Sequence, residues 1–258
     1  MNHVMMKMLS SLCVLCVATS ALADATPYGD FVGANVTFTK VTESSGTDDQ
    51  VLYGAPVDPA GASDALVFGS LTFTASTEDL DVDLTDGTLT FGVKSNGLTP
   101  ISTLAIDERG DYTLGSTGGK TAVGAGIAVF VRVIELDGVG VTPINIAGDI
   151  APNQQFTLEA FEVVGPIEWE GGAMFDVGQA LADKGIDGGA TRLLVSLNNV
   201  LFSIGEDGTE SNIAKKDFSV NVEVVPEPSA AVLLLIGMVL VLQGRPGARG
   251  RRRDASVA

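Results

Sequence analysis

The stretch LDVDLTDGTLTFGV, Leu80–Val93, decides the fold class. Apolar and polar residues alternate along it, which is the period of a strand with one face buried. Asp86-Gly87 sits at its centre, and Asp-Gly is a favoured two-residue hairpin turn because both central residues need positive φ. Closing the chain there sets Leu84 against Leu89, Val82 against Phe91 and Leu80 against Val93. All the large apolar residues then share one face, and Asp81, Asp83, Thr85, Thr88 and Thr90 share the other. A slip of one residue would bury the aspartates, so the register is firmly specified. The reading is a β-hairpin, and the chain around it is of the same kind.

Outward from that hairpin, short apolar runs are separated by turn residues. Phe31–Val41 reads as a strand with Val36 and Phe38 on its inner face, after a lead-in Asp24–Asp30. Glu43–Gln50 reads as a polar turn, and Val51–Asp64, with Pro56 and Pro59, as a loop. Leu66–Ala75 reads as one strand with a bulge near Gly69. Asn96-Gly97 turns into a strand from Ile101 to Asp107. Gly126–Ile134 is almost wholly apolar and reads as a strand buried on both faces, turned by Asp137-Gly138. Gln155–Val164 and Ile167–Val177 follow, the latter carrying Trp169, the chain's single tryptophan. Gln179–Lys184 is the one short helix. Arg192–Ile204 changes phase across Asn198-Asn199, the mark of a bulge. Phe218, Val220, Val222 and Val224 form a closing half-buried strand. Eight or more strands between turn signals predict an all-β antiparallel β-sandwich, jelly-roll-like in outline. One domain over 24–225 is the first expectation, and a division in the Gly-dense stretch Asp111–Gly126 is the alternative.

Composition removes much chemistry. The only histidine is His3 and the only cysteines are Cys13 and Cys16, all within the first 23 residues. Residues 24–225 therefore have no Ser-His-Asp triad, no Cys nucleophile, no His/Cys zinc site and no disulfide. They hold nine Lys and Arg against thirty Asp and Glu, a net of −21. Such a charge disfavours nucleic acid and anionic lipid as partners.

The acidic run Glu78-Asp79-x-Asp81-x-Asp83-x-x-Asp86 is the densest, and alternate aspartates on a strand share a face. Asp79, Asp81, Asp83 and Asp86 are thus the candidate metal ligands, with Ca²⁺ the ion such oxygens would take. The spacing departs from the EF-hand loop, and a solvated acidic face is the competing reading. Asp48-Asp49 and Asp107-Glu108 are sparser versions. Glu168 and Glu170 place two carboxylates about 7 Å apart on one strand face, inside the range glycosidases use. Exposed strands often carry such pairs. Trp169 opposite them is either a core residue or a sugar-stacking platform. Asn35-Val36-Thr37 matches a glycosylation sequon. No catalytic residue is expected.

The ends carry an address. Lys7, the apolar run Leu9–Thr19 and Ala21-Leu22-Ala23 form a secretory signal peptide over 1–23, cleaved between Ala23 and Asp24. The export partners are signal peptidase and Sec-type machinery. At the other end stand Val-Pro-Glu-Pro-Ser (225–229), an uncharged run Ala230–Leu242, and Arg245, Arg249, Arg251, Arg252 and Arg253. The run would rise about 20 Å as a helix, short for a hydrocarbon core of about 30 Å. Local thinning and arginine snorkelling would close the gap. The arginines favour a cytoplasmic tail, which leaves the acidic middle outside.

Pro226-Glu227-Pro228, the apolar run and the arginine cluster, in that order over 226–253, resemble the PEP-CTERM sorting signal of bacterial envelope proteins. The resemblance implies a membrane-tethered substrate recognised through Pro226, Glu227 and Pro228 by an exosortase-like membrane peptidase, which cuts near the motif. Together these readings predict an exported envelope or extracellular surface protein with no catalysis of its own. A secreted calcium- or polysaccharide-binding module is the alternative, and a carboxylate-based glycoside hydrolase comes last.

Overall fold

The computed structural model describes residues 25–57, 59, 63–150, 154–159 and 161–225. The predicted signal peptide with its expected Ala23/Asp24 cleavage point, the motif Pro226, Glu227 and Pro228, and the predicted helix 230–242 lie outside the described residues. The chain divides into two compact units between Val225 and Pro226.

The described part of the first unit is all-β, two antiparallel sheets stacked as a sandwich. Its strands are β1 (Thr26–Val32), β2 (Val36–Ser44), β3 (Ala65–Phe68), β4 (Thr74–Glu78), β5 (Asp81–Ser95), β6 (Ile101–Ser116), β7 (Thr121–Leu136), β8 (Val139–Ile146), β9 (Asp149–Ile150), β10 (Gln154–Leu158), β11 (Glu162–Asp176), β12 (Ala190–Gly205) and β13 (Thr209–Val224). One short helix, α1 (Val177–Ala182), lies between β11 and β12. The first sheet runs β1-β2-β5-β12-β7-β10, with β8 also on β7. The second runs β3-β13-β6-β11-β9, with β4 also on β13. The stretch Asp111–Gly126 lies within β6, β7 and their connection, inside the one unit, so no division falls there.

The central stretch behaves differently from its sequence reading. Leu80–Val93 forms no hairpin. Asp81–Ser95 is one strand, and β12 pairs with it from Arg192↔Lys94 to Gly205↔Asp81. Neither Asp86 nor Gly87 has positive φ. A full-length partner on both halves outweighs the local turn preference. Gly87 is there for another reason: a Cβ on it would run into the ring of Phe73, from the connection between β3 and β4. Because the strand continues, the two apolar sets face opposite ways. Leu89, Phe91 and Val93 are buried, while Leu80, Val82 and Leu84 are exposed.

Asp137-Gly138 does what Asp86-Gly87 does not. Both residues have positive φ, 48° and 79°, and Leu136 pairs with Val139 across a two-residue loop. That is the geometry of a type I′ turn. Val36 and Phe38 are buried as predicted, but β1 ends at Val32 and a turn separates it from β2. Leu66–Ala75 is two strands, β3 and β4, both paired to β13. Gln155–Val164 is likewise divided between β10 and β11. β7 is buried on one face only, and Phe130 is 63% exposed. β12 passes through Asn198-Asn199 without a register shift, and Asn199 continues the buried face. The helix starts two residues before the predicted Gln179, where Asp176 caps it by accepting from the Gln179 N–H at 2.8 Å. The closing strand is longer than predicted, with Phe218, Val220 and Val222 buried.

The core lies between the sheets. The loop after β2 enters it: Tyr53 is fully buried, its ring 4.9 Å from Phe73, 5.1 Å from Phe218 and 5.6 Å from Phe68. Tyr112 of the second sheet stacks on Phe156 of the first at 4.0 Å. At one end, the hydroxyls of Thr77, Ser203 and Ser211 bond one another at 2.6–2.8 Å, joining β4, β12 and β13.

Candidate functional site

The exposed apolar set on β5 has neighbours of its own kind. Ile204 on β12 lies opposite Val82 on one side and Ala122 of β7 on the other. Thr157 of β10 extends the row past Ala122. One register step along, Leu84 faces Phe202, whose ring covers Gly124 closely enough to exclude a side chain there. Around the first row the strand ends enclose a groove of about 590 Å³. Leu80, Val82, Ala122, Leu158 and Ile204 give it hydrocarbon walls, and Leu80 and Val82 are 79% and 61% exposed.

Charges stand on the rim. Lys120 Nζ is 2.9 Å from Glu159 Oε1, and that bond and charge raise the lysine's pKa. Glu206 accepts from the Lys120 N–H at 2.9 Å, and Asp81 accepts from the Val82 N–H at 2.8 Å. A floor that gains by losing water, inside a rim of already partnered charges, suits an apolar group.

The predicted acidic residues are spread out and engaged. Asp79, with φ of 57°, accepts from the Gly208 N–H at 3.1 Å. Asp83 accepts from the Ser76 N–H at 2.8 Å. Asp86 accepts from the Gly46 N–H at 2.9 Å, while its own N–H goes to Thr47 Oγ1. With Asp81 bonded to its neighbour, the four carboxylates serve four different backbone segments. Among the described residues no three acidic, His or Cys side chains converge as metal ligands. Glu168 and Glu170 are exposed on the outer face of the second sheet, opposite Asp111 and Arg109 respectively. Trp169 is 4% exposed and belongs to the core, so it offers no stacking platform.

Two buried acids were hidden in the sequence. Glu43, read as part of a polar turn, sits inside β2 and is 2% exposed. It accepts the N–H groups of Leu52, Tyr53 (2.9 Å) and Gly54 (3.2 Å) and the Tyr28 hydroxyl (2.7 Å). It therefore pins the loop that delivers Tyr53. Glu108, on the inner face of β6, is 3% exposed and meets Lys215.

No protein-family model matches the sequence. A search of curated proteins likewise finds no match. Solved structures give faint similarities. The structure of infectious bursal disease virus Gt strain is 14% identical over 83% of this chain and 60% of that one, with a TM-score of 0.13. The VP2 subviral particle of the same virus is 15% identical over 74% and 54%, with a TM-score of 0.11. The chain thus spans less than two thirds of those structures. TM-scores this low establish no shared fold.

Proposed function

We propose that this chain is an exported envelope or extracellular surface protein, without catalysis of its own, delivered and processed through its C-terminal segment. One observation carries the reading. β13 is an interior strand of the second sheet, flanked by β6 on one side and by β3 and β4 on the other, and it ends at Val224. The next residue but one is Pro226, the first of Pro226-Glu227-Pro228. A sandwich whose interior strand runs out into a sorting motif stays folded when the segment beyond the motif is cut away. Signal peptidase, Sec-type export and an exosortase-like peptidase are the partners in this reading, and residues 230–242 are the transient membrane tether. The groove on the first sheet is the domain's contact surface.

The test is mass spectrometry of the protein recovered from the cell surface or the medium. The expected chain starts at Asp24 and ends near Pro226–Ser229. Recovery of peptides carrying Arg253 from the mature surface protein overturns the processing step. The alternative of a calcium-binding module predicts a calcium-dependent rise in melting temperature. The separate amide partners of Asp79, Asp83 and Asp86 lead us to expect none.

A further inference from the structure

Lys215 and Glu108 form a buried ion pair between β13 and β6. Their side chains are 1% and 3% exposed, and Nζ lies 2.5 Å from Oε2. Lys215 faces inward in the alternation of Thr209, Ser211 and Ile213, and the register shift between Lys215 and Asp217 in the β13–β6 ladder then brings Phe218 to the same face. Phe73 and Phe218 stand over the ammonium, their centroids 4.9 and 5.3 Å from Nζ. A lysine carries three N–H donors. Among the described residues Glu108 is the one hydrogen-bond acceptor of Nζ, and hydrocarbon rings close much of the space around it.

Burial lowers the lysine's pKa, against the opposing pull of Glu108. Two ions this deep cost more to desolvate than an uncharged pair does. One proton moving from Nζ to Oε2 leaves a free amine against a carboxylic acid. The carboxyl carbon is one C–O bond beyond Oε2, near the separation of about 3–3.5 Å from which bound groups react. Groups that reach an aligned near-attack geometry attain effective molarities of up to about 10⁵–10⁸ M.

We propose that Lys215 and Glu108 become joined by an intramolecular amide bond, Nζ to Cδ, which ties β13 to β6 inside the second sheet. The amine lone pair attacks Cδ. The Cδ–Oε2 bond then breaks, and the departing hydroxyl takes a proton from nitrogen and leaves as water. The products are one neutral amide and one water, so both buried charges disappear and no external reactant is consumed. Residues 24–225 contain no cysteine, and a disulfide cannot do the same job there.

The experiment is peptide mapping of the full chain, purified from its native export host and digested after denaturation. The expected product is a branched peptide that joins the segments containing residues 108 and 215, lighter than the two linear peptides by one water. Trypsin should fail to cut after Lys215. The branched peptide should vanish in Glu108→Ala and in Lys215→Met. Recovery of only linear peptides from the wild-type chain, with cleavage after Lys215, overturns the proposal. The wild-type digest decides by itself, so a variant that does not fold leaves the outcome intact.

Discussion

Glu43 is a carboxylate with almost no water around it, and it has made itself a substitute. Three consecutive backbone amides and the Tyr28 hydroxyl supply the hydrogen bonds that solvent would have given. Removing the acid strands those amides and frees the loop that holds Tyr53. We expect Glu43→Ala to cost about 2–4 kcal/mol, read as a lower urea midpoint. The two tyrosines near it give a pH signature. Burial, then the hydrogen bond and charge of Glu43, raise the Tyr28 pKa. Burial, more than anything else, raises that of Tyr53 well above its ordinary value. A raised folded-state pKa means that the contribution is complete below the unfolded value of about 10 and is lost as pH climbs past it. Stability should therefore fall steadily above about pH 10. Urea midpoints measured across that range check this, and a flat profile would contradict it.

Two Asp-Gly pairs show what an element adds to its residues. Gly138 needs its positive φ for the β7–β8 turn, and a Cβ there would meet the movable end of Leu98 at 2.7 Å. Gly138→Ala should cost about 1 kcal/mol, mostly backbone strain. Gly87 needs space, and the ring in its way belongs to a fully buried phenylalanine, Phe73. Gly87→Ala should cost more, about 1–3 kcal/mol as an overpacked core does, and thermal melts of the two variants should rank them in that order. The same contrast shows where sequence reading stops. Alternation makes Phe38, Phe91 and Phe218 readable as core, because each depends only on its neighbours two residues away. It could not say whether Asp86-Gly87 turned or ran on, since that choice was made by β12, more than a hundred residues later. The hairpin reading thus puts Leu80, Val82 and Leu84 in the core, whereas Leu80 and Val82 line the groove and Leu84 is exposed beside it. Their change of phase against Leu89, Phe91 and Val93 was the available signal, and the supposed hairpin explained it away. Extending the alternation of Phe218, Val220 and Val222 backward puts Lys215 on the outer face; the bulge after it leaves it in phase with the buried Ser211 and Ile213.

At the scale of the whole molecule both sheets expose apolar side chains, Met174 and Val163 on the second among them, and the acidic residues add to these. The first sheet presents Val82, Leu84 and Phe130 to solvent. The second presents Asp107, Asp111, Glu168 and Glu170, with Arg109 opposite Glu170. Residues 24–225 carry a net of −21, and like charges so crowded work against compactness. Raising ionic strength from about 0.02 M to 0.5 M shortens the Debye length several-fold and should raise the melting temperature, a direction calorimetry can read. Each sheet also has its own covering of the core, and the strand that leaves the molecule is among the best held. β13 pairs with β6 along nearly its entire length and with β3 and β4 on its far edge. A pull on Val225 along the axis of that strand would shear its cross-strand bonds together and not peel them one after another. In the surface role we propose, a load entering through Val225 would meet a strand paired on both of its edges.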